Sequence, residues 1–161
     1  MLKPILIFCA LLAVVWNLIT TPTLAKDLDE ATRTVKFDSN STIVLTPTEL
    51  KNGKKLFNAA CASCHSGGAT FTNPNVGLDM ESLKLATPPR DNLLAMIDYM
   101  KNPTTFDGEE EIYELHPSLR STDIFPQMRG LTEQNLKEIA GYILYSAQLK
   151  GVSWGGGKVY Y

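Results

Sequence analysis

Apolar residues recur at every third or fourth position between residues 136 and 147, and this spacing predicts an amphipathic helix. Thr132 stands just ahead of the stripe and is a typical N-cap residue, because its hydroxyl accepts a hydrogen bond from a free N–H of the first turn. We therefore expect a helix that begins after Thr132 and ends near Gln148. The apolar stripe consists of Leu136, Ile139, Ala140, Ile143, Leu144 and Ala147.

A second helical pattern lies in the first half of the chain and leads directly into Cys61. Thr46 and Glu49 have the spacing of a capping box, and Pro47 occupies the first helical position. A glycine inside a helix costs about 1 kcal/mol relative to alanine. Gly53 therefore predicts the close approach of another helix, and we expect this first helix to pair with the last one.

The segment before the first helix predicts a small β-hairpin. Two runs rich in β-branched residues, 34–37 and 42–45, flank four turn-forming residues at 38–41. An isolated hairpin is only marginally stable in water. We therefore expect it to pack on the helical body.

A shorter helix is predicted at 92–101, between an N-cap at Asp91 and the helix-ending Pro103. The acidic run at 107–111 lacks the alternating ligand spacing of a calcium loop. We expect it to form a solvated turn and the first turn of a short helix.

The first 25 residues have the pattern of a cleaved signal peptide. Lys3 provides a positive start, residues 5–19 are almost entirely apolar, and a small residue, Ala25, precedes the expected cleavage site. An apolar run of this length is shorter than the roughly 18 residues that indicate a membrane-spanning helix. We expect a mature domain at 26–161, with the lead and hairpin at 26–45 and a C-terminal tail at 151–161.

The balance of acidic and basic residues limits the kinds of partner that the protein is expected to bind. The chain has 161 residues, enough for one domain. Loss of Lys3 with the signal would leave 14 basic and 17 acidic residues. This slightly acidic balance, without a basic stripe to neutralise phosphates, excludes nucleic acid as an expected partner.

The run Cys61-Ala62-Ser63-Cys64-His65 is the attachment signature of a c-type haem. On a helical turn the two thiols and the imidazole share one face, so the thiols reach the haem vinyl groups while His65 supplies a nitrogen to iron.

A zinc site needs about four Cys or His ligands, and the chain has three Cys and two His, with Cys9 inside the predicted signal. A thioredoxin-like pair needs a βαβ setting, whereas the flanks here are predicted helical.

The second axial ligand to the iron has two principal candidates. His116 is the only other histidine, and Met128 lies just before the last helix. Met100 and Met80 are weaker candidates because a methionine on a helical stripe usually packs in the core. Spacing alone does not decide between His116 and Met128. A His/Met pair raises the reduction potential, and two imidazoles leave it lower.

Four stretches outside the haem signature make the sequence similar to the cytochrome c-550 family, the extrinsic low-potential cytochromes of photosystem II. They span most of the predicted mature chain and are more specific than the haem motif. They are LATPPRDN at 85–92, YMKNPTT at 99–105, HPSLRS at 116–121 and WGGGKVYY at 154–161.

The resemblance implies an all-α, class I-like cytochrome c fold of about four to five helices around one covalent haem c, with a small N-terminal β-hairpin. It implies thioethers from Cys61 and Cys64 and iron ligation by His65 and His116. It also implies a non-catalytic subunit on the lumenal face of the thylakoid membrane, where the partners are the photosystem II core and other extrinsic lumenal subunits. Such subunits stabilise the oxygen-evolving complex and its calcium and chloride.

The competing hypothesis is a mobile soluble electron carrier with Met128 on the iron. This hypothesis also predicts a small, dissociable contact surface. The tail at 151–161, with Trp154, Tyr160 and Tyr161, is either a frayed end or a docking arm, because exposed aromatic residues are favoured at interfaces.

Overall fold

A computed structural model describes residues 29–156, which form six α-helices and one two-stranded sheet. The predicted signal peptide and the last five residues lie outside this range. The helices are α1 (Glu30–Arg33), α2 (Pro47–Ala60), α3 (Ala62–His65), α4 (Met80–Leu85), α5 (Leu93–Lys101) and α6 (Glu133–Lys150). The strands are β1 (Thr34–Lys36) and β2 (Thr42–Val44).

The predicted all-α class with a small hairpin is confirmed. Within residues 29–156, no helix combines the length and the apolar character needed to cross a membrane.

The pairing of α2 with α6 forms the centre of the fold. Thr46 and Glu49 make the predicted capping box, in which the Glu49 carboxylate accepts from the Thr46 N–H at 2.8 Å. Gly53 faces the backbone of α6, and a Cβ added at Gly53 would lie 2.0 Å from the Glu138 carbonyl oxygen. The predicted close approach is confirmed, and it depends on the absence of a side chain at Gly53.

The long helix α6 begins at the predicted cap and ends two residues beyond Gln148. Thr132 and Asn135 form a reciprocal capping box at its start. Its middle is buried on most sides, since it contacts α2, α5 and the hairpin.

The predicted hairpin forms, with Val35 opposite Ile43. Asp38 organises the turn, where its carboxylate accepts hydrogen bonds from the N–H groups of Asn40 and Ser41 at 2.8 Å each. Val35 and Leu45 are almost fully buried in the common core. The hairpin therefore packs on the helices, as the marginal stability of an isolated hairpin requires.

The start of α5 differs from the prediction. Asn92, not Asp91, is the N-cap, and its side chain accepts from the Ala95 N–H at 3.0 Å. Asp91 instead forms an ion pair with Lys36 of β1 at 2.6 Å. The carboxylate therefore connects α5 to the hairpin, a tertiary contact that local sequence does not reveal.

The acidic run 107–111 forms an exposed turn, as predicted, but no helix, so the predicted first turn of a helix is wrong. Thr104 and Glu111 form an isolated antiparallel bridge that closes the run into a loop. Asp107 accepts from the Thr105 hydroxyl at 2.5 Å inside the loop. The side chain thus bonds back to its own loop instead of starting a helix.

Trp154 lies in the core, so its predicted role as a docking residue is wrong. Its side chain is 2% exposed, and its ring lies 5.8 Å from Phe57 and 5.9 Å from Tyr142, between ring centroids. A Cβ added at Gly68 would approach the indole within 2.6 Å. Trp154 therefore fixes the end of the described chain against α2, α6 and the segment after His65.

Candidate haem site

A cavity of about 700 Å³ lies between α2, α5, α6 and the loops at 70–78 and 104–117. Its walls are mainly apolar, which is typical of sites for small molecules and cofactors. Both motif cysteines and both histidines of the chain line this cavity. The apolar walls include Phe57, Leu83, Met96, Met100, Phe106, Ile112, Leu115, Met128, Ile139 and Ile143.

The haem-attachment signature sits at the end of α2, where the helix breaks and restarts as α3. The Cys61 N–H donates to the Phe57 carbonyl at 2.8 Å, and the His65 N–H donates to the Cys61 carbonyl at 2.9 Å. The signature therefore keeps helical bonding, which places Cys61, Cys64 and His65 together at the cavity wall. This juxtaposition is the one the sequence predicts.

Cys61 and Cys64 are half-buried at the cavity wall and form no disulfide with each other. Burial and, to a lesser extent, the neighbouring Cys64 thiol together raise the pKa of the Cys61 thiol to about 12. Redox-active Cys-x-x-Cys pairs instead have a thiol with a lowered pKa. In the described part of the chain, no group of three or more His, Cys, Asp or Glu side chains is arranged to hold a metal ion.

The imidazole rings of His65 and His116 face each other across the cavity. Their centroids are 6.1 Å apart, and the ring planes are inclined by 51°. A bond from imidazole nitrogen to a metal ion is about 2 Å long, so two rings on opposite sides of one ion have centroids roughly 6 Å apart. The spacing of the two rings therefore fits a metal ion held between them.

In each histidine, Nδ1 forms a hydrogen bond with a residue that is close to it in sequence. His116 Nδ1 donates to the Pro117 carbonyl at 3.0 Å, and His65 Nδ1 shares a hydrogen bond with the Thr70 hydroxyl at 3.2 Å. With both Nδ1 atoms engaged, Nε2 is the nitrogen left for iron, as is usual for a metal-bound histidine.

Burial keeps both imidazoles in the neutral form that binds metals. It lowers the pKa of His116 to about 4, with a further contribution from His65, and it lowers the pKa of His65 as well.

The methionine candidates occupy different places. Met128 and Met100 are buried in the cavity wall, whereas Met80 lies outside the lining of this cavity. Met128 therefore shares the site with His116, and ligation by His116 stays a prediction supported by the ring spacing.

Arg90 and Tyr99 also line the cavity, although no local sequence pattern predicts a role for them. The guanidinium carbon of Arg90 lies 3.9 Å from the centroid of the Tyr99 ring, and Tyr99 meets the His116 ring edge-on at 5.0 Å. Both residues lie in stretches that carry the family resemblance, yet no local pattern marks them. Their contact with the site arises only when α5 packs beside the loop that carries His116.

The fold and the site together define a small cytochrome c-type domain. Comparison with known families makes this more specific, because the cytochrome c-550 domain matches residues 26–161. The chain belongs to the cytochrome c-550 family, and membership implies that it binds haem.

Its relatives include photosystem II extrinsic protein V of Cyanophora paradoxa, 61% identical over 137 residues that cover 85% of each chain. The protein of the same name from Porphyra purpurea is 58% identical, covering 89% of this chain and 88% of that one. A crystal structure of cytochrome c549 has a TM-score of 0.76 and 54% identity, covering 78% of this chain and 98% of that one.

Proposed function

We propose that this chain is an extrinsic subunit of photosystem II on the lumenal side of the thylakoid membrane. Relatives that it matches over most of their length carry the name photosystem II extrinsic protein V. The predicted signal peptide agrees with export, and the slightly acidic charge agrees with a protein partner rather than nucleic acid. The proposed partners are the photosystem II core and other extrinsic lumenal subunits.

One covalent haem c is the proposed prosthetic group. Cys61 and Cys64 would form its thioethers, and His65 and His116 would hold its iron. The observation that carries this proposal is the ring spacing of 6.1 Å between two half-buried imidazoles beside a Cys-x-x-Cys-His signature. The haem supplies a one-electron redox centre, and the chain supplies the ligands and the apolar enclosure.

Two imidazole ligands give the proposed site a low reduction potential, because they lack the methionine that raises it. Thr70 and Pro117 orient the rings through their hydrogen bonds to Nδ1. If His65 and His116 both bind the iron, they would leave no position on it for a substrate. The proposed subunit is therefore non-catalytic, and its haem serves structure and possible electron transfer.

The proposed role of the subunit is to stabilise the oxygen-evolving complex and its calcium and chloride. The test is to wash the extrinsic subunits from thylakoid membranes with salt and measure oxygen evolution before and after adding back the purified holoprotein. Oxygen evolution should fall on washing and return on addition. A matched variant without residues 159–161 should keep its haem spectrum and restore less activity. Full recovery with an unrelated c-type cytochrome of similar charge would refute the specific role.

The mobile-carrier alternative is tested by the visible spectrum, because Met128 lies in the same cavity wall. An oxidised His/Met haem has a weak far-red sulfur-to-iron band that a bis-histidine haem lacks. We expect no such band in the wild-type protein. Its presence would move the second ligand to Met128 and favour the carrier.

A further inference from the structure

Arg90 is a buried cation for which no carboxylate partner exists among residues 29–156. Its side chain is 8% exposed, and none of the ion pairs in this range involves it. Burial of a charge is costly unless the charge is paired. The burial lowers the pKa of Arg90, yet a guanidinium remains protonated in proteins. The structure therefore contains a positive charge that lacks its counter-ion.

The hydrogen bonds of Arg90 use only one edge of the guanidinium. Nη2 donates to the Thr104 carbonyl, the Thr104 hydroxyl and the Thr105 carbonyl at 3.1, 3.2 and 2.6 Å. Neither Nε nor Nη1 donates to any residue in the described part of the chain. Arginine has five N–H donors in a planar fork suited to a carboxylate, so the second edge is available to a ligand.

Arg90 faces the haem cavity and is the only formally charged side chain among the described residues that line it, since both histidines are neutral. The Tyr99 ring separates its guanidinium from His116. The nearest acidic residue in sequence, Asp91, is engaged by Lys36, and Asp107 is held within its own exposed loop. No carboxylate among residues 29–156 forms an ion pair with Arg90, so the geometry favours an anion bound in the cavity as its counter-ion.

We propose that Arg90 is the counter-ion of one haem propionate and thereby sets the charge balance around the iron. The inference rests on the proposed haem site and adds to it a residue that neither binds iron nor forms a thioether. A haem carries two carboxylates, and a buried arginine with one free edge is the side chain that matches one of them. Arg90 acts on the iron through the propionate and is a positioning and potential-setting residue.

The test compares Arg90→Gln, Arg90→Lys and Arg120→Gln in the full chain matured with haem. Arg120 is a matched control because its guanidinium also lies over a tyrosine ring, at 4.4 Å from the Tyr113 centroid, but outside the cavity lining. The readout is the midpoint potential at pH 8, where a free carboxylic acid is ionised. The propionate bending band of the resonance Raman spectrum reports the hydrogen bond directly.

Without the positive charge of Arg90, the negative charge of the propionate is no longer neutralised. That negative charge stabilises ferric iron relative to ferrous iron. In Arg90→Gln we expect the equilibrium between ferric and ferrous forms to shift on the order of tenfold toward ferric, which is about 59 mV for one electron. Arg90→Lys and Arg120→Gln should stay within about twofold of wild type, because one keeps the buried charge and the other removes an exposed one. The Raman band should shift in Arg90→Gln and stay in place in Arg120→Gln.

If Arg90 only holds the loop at 104–105, both Arg90 variants lose stability and neither changes the potential, which would overturn the proposal. Equal potential shifts in Arg90→Gln and Arg90→Lys would also overturn it. Should neither Arg90 variant mature, infrared titration of the wild-type holoprotein decides. One propionate should remain ionised below the usual carboxyl range, and two ordinary titrations would refute the pairing. Absence of covalent haem from the wild-type protein would instead refute the proposed function.

Discussion

Replacement of Gly53 by alanine tests the close contact between α2 and α6. A Cβ at Gly53 would lie 2.0 Å from the Glu138 carbonyl oxygen, 2.7 Å from its carbon and 2.9 Å from the Tyr142 Cβ. Two of these atoms are backbone, so a rotamer change cannot relieve the clash, and the helices must separate. Overpacking of this kind costs about 1–3 kcal/mol, whereas alanine in a free helix would gain about 1 kcal/mol. Because the clash is with backbone atoms, the cost should lie near the upper end of this range, and after the helix gain is subtracted we expect Gly53→Ala to lower the free energy of unfolding by about 1–2 kcal/mol.

The matched control is Gly141→Ala in α6. A Cβ there would approach two methyl carbons of Leu45 at 3.0 Å, and a flexible side-chain tip yields more easily than backbone. Its change in unfolding free energy should therefore be close to zero. Urea unfolding of the holoproteins, followed by far-ultraviolet circular dichroism and by haem absorbance, measures both variants. A Gly53→Ala protein as stable as wild type would refute the packing argument.

Three further predictions address the ligands, the pH dependence and the core. His116→Met should raise the midpoint potential and introduce the far-red band, and an unchanged spectrum would show that His116 does not bind iron. Burial raises the pKa of Glu49, but Lys137 at 2.8 Å and Thr46 outweigh it and lower the pKa to about 2. Because the folded pKa lies below the ordinary value, this stabilisation is present above about pH 4.5 and is lost as the pH falls toward 2. In acid unfolding, Lys137→Met should therefore make the free energy of unfolding depend less on pH over this range. Trp154→Ala should cost about 3–5 kcal/mol of stability and Trp154→Phe less, whereas equal stability of all three proteins would place the indole outside the core.

The parts of the fold predicted from sequence are those governed by neighbouring residues. The capping box at Thr46 and Glu49 and the turn at Asp38 depend on atoms two or three residues apart. Gly53 was also informative, because an interior helical glycine has few explanations besides close packing. The haem signature was recognised for the same reason, since its spacing acts over a single helical turn.

The missed features depend on contacts between distant segments. The cap of α5 moved to Asn92 because Lys36 engages Asp91, and Trp154 entered the core because α2 and α6 leave space for an indole. Helix α4 was not predicted, since six residues carry too little periodicity. Arg90 came to the cavity only through the packing of α5 against the loop that follows it. From the sequence, ligation by His116 was predicted only through the family resemblance, because the positions of His116 and Met128 along the chain did not favour either residue.

The contact between Trp154 and Gly68 has a consequence for the order in which the molecule is completed. The segment that follows His65 is closed by residues near the end of the described chain, where the Gly155 N–H also donates to the Gly67 carbonyl at 3.1 Å. Because a chain is synthesised from its N-terminus, Cys61 and Cys64 exist before the residues that make these contacts. If haem is attached as proposed, attachment could therefore precede the packing of Trp154 against Gly68.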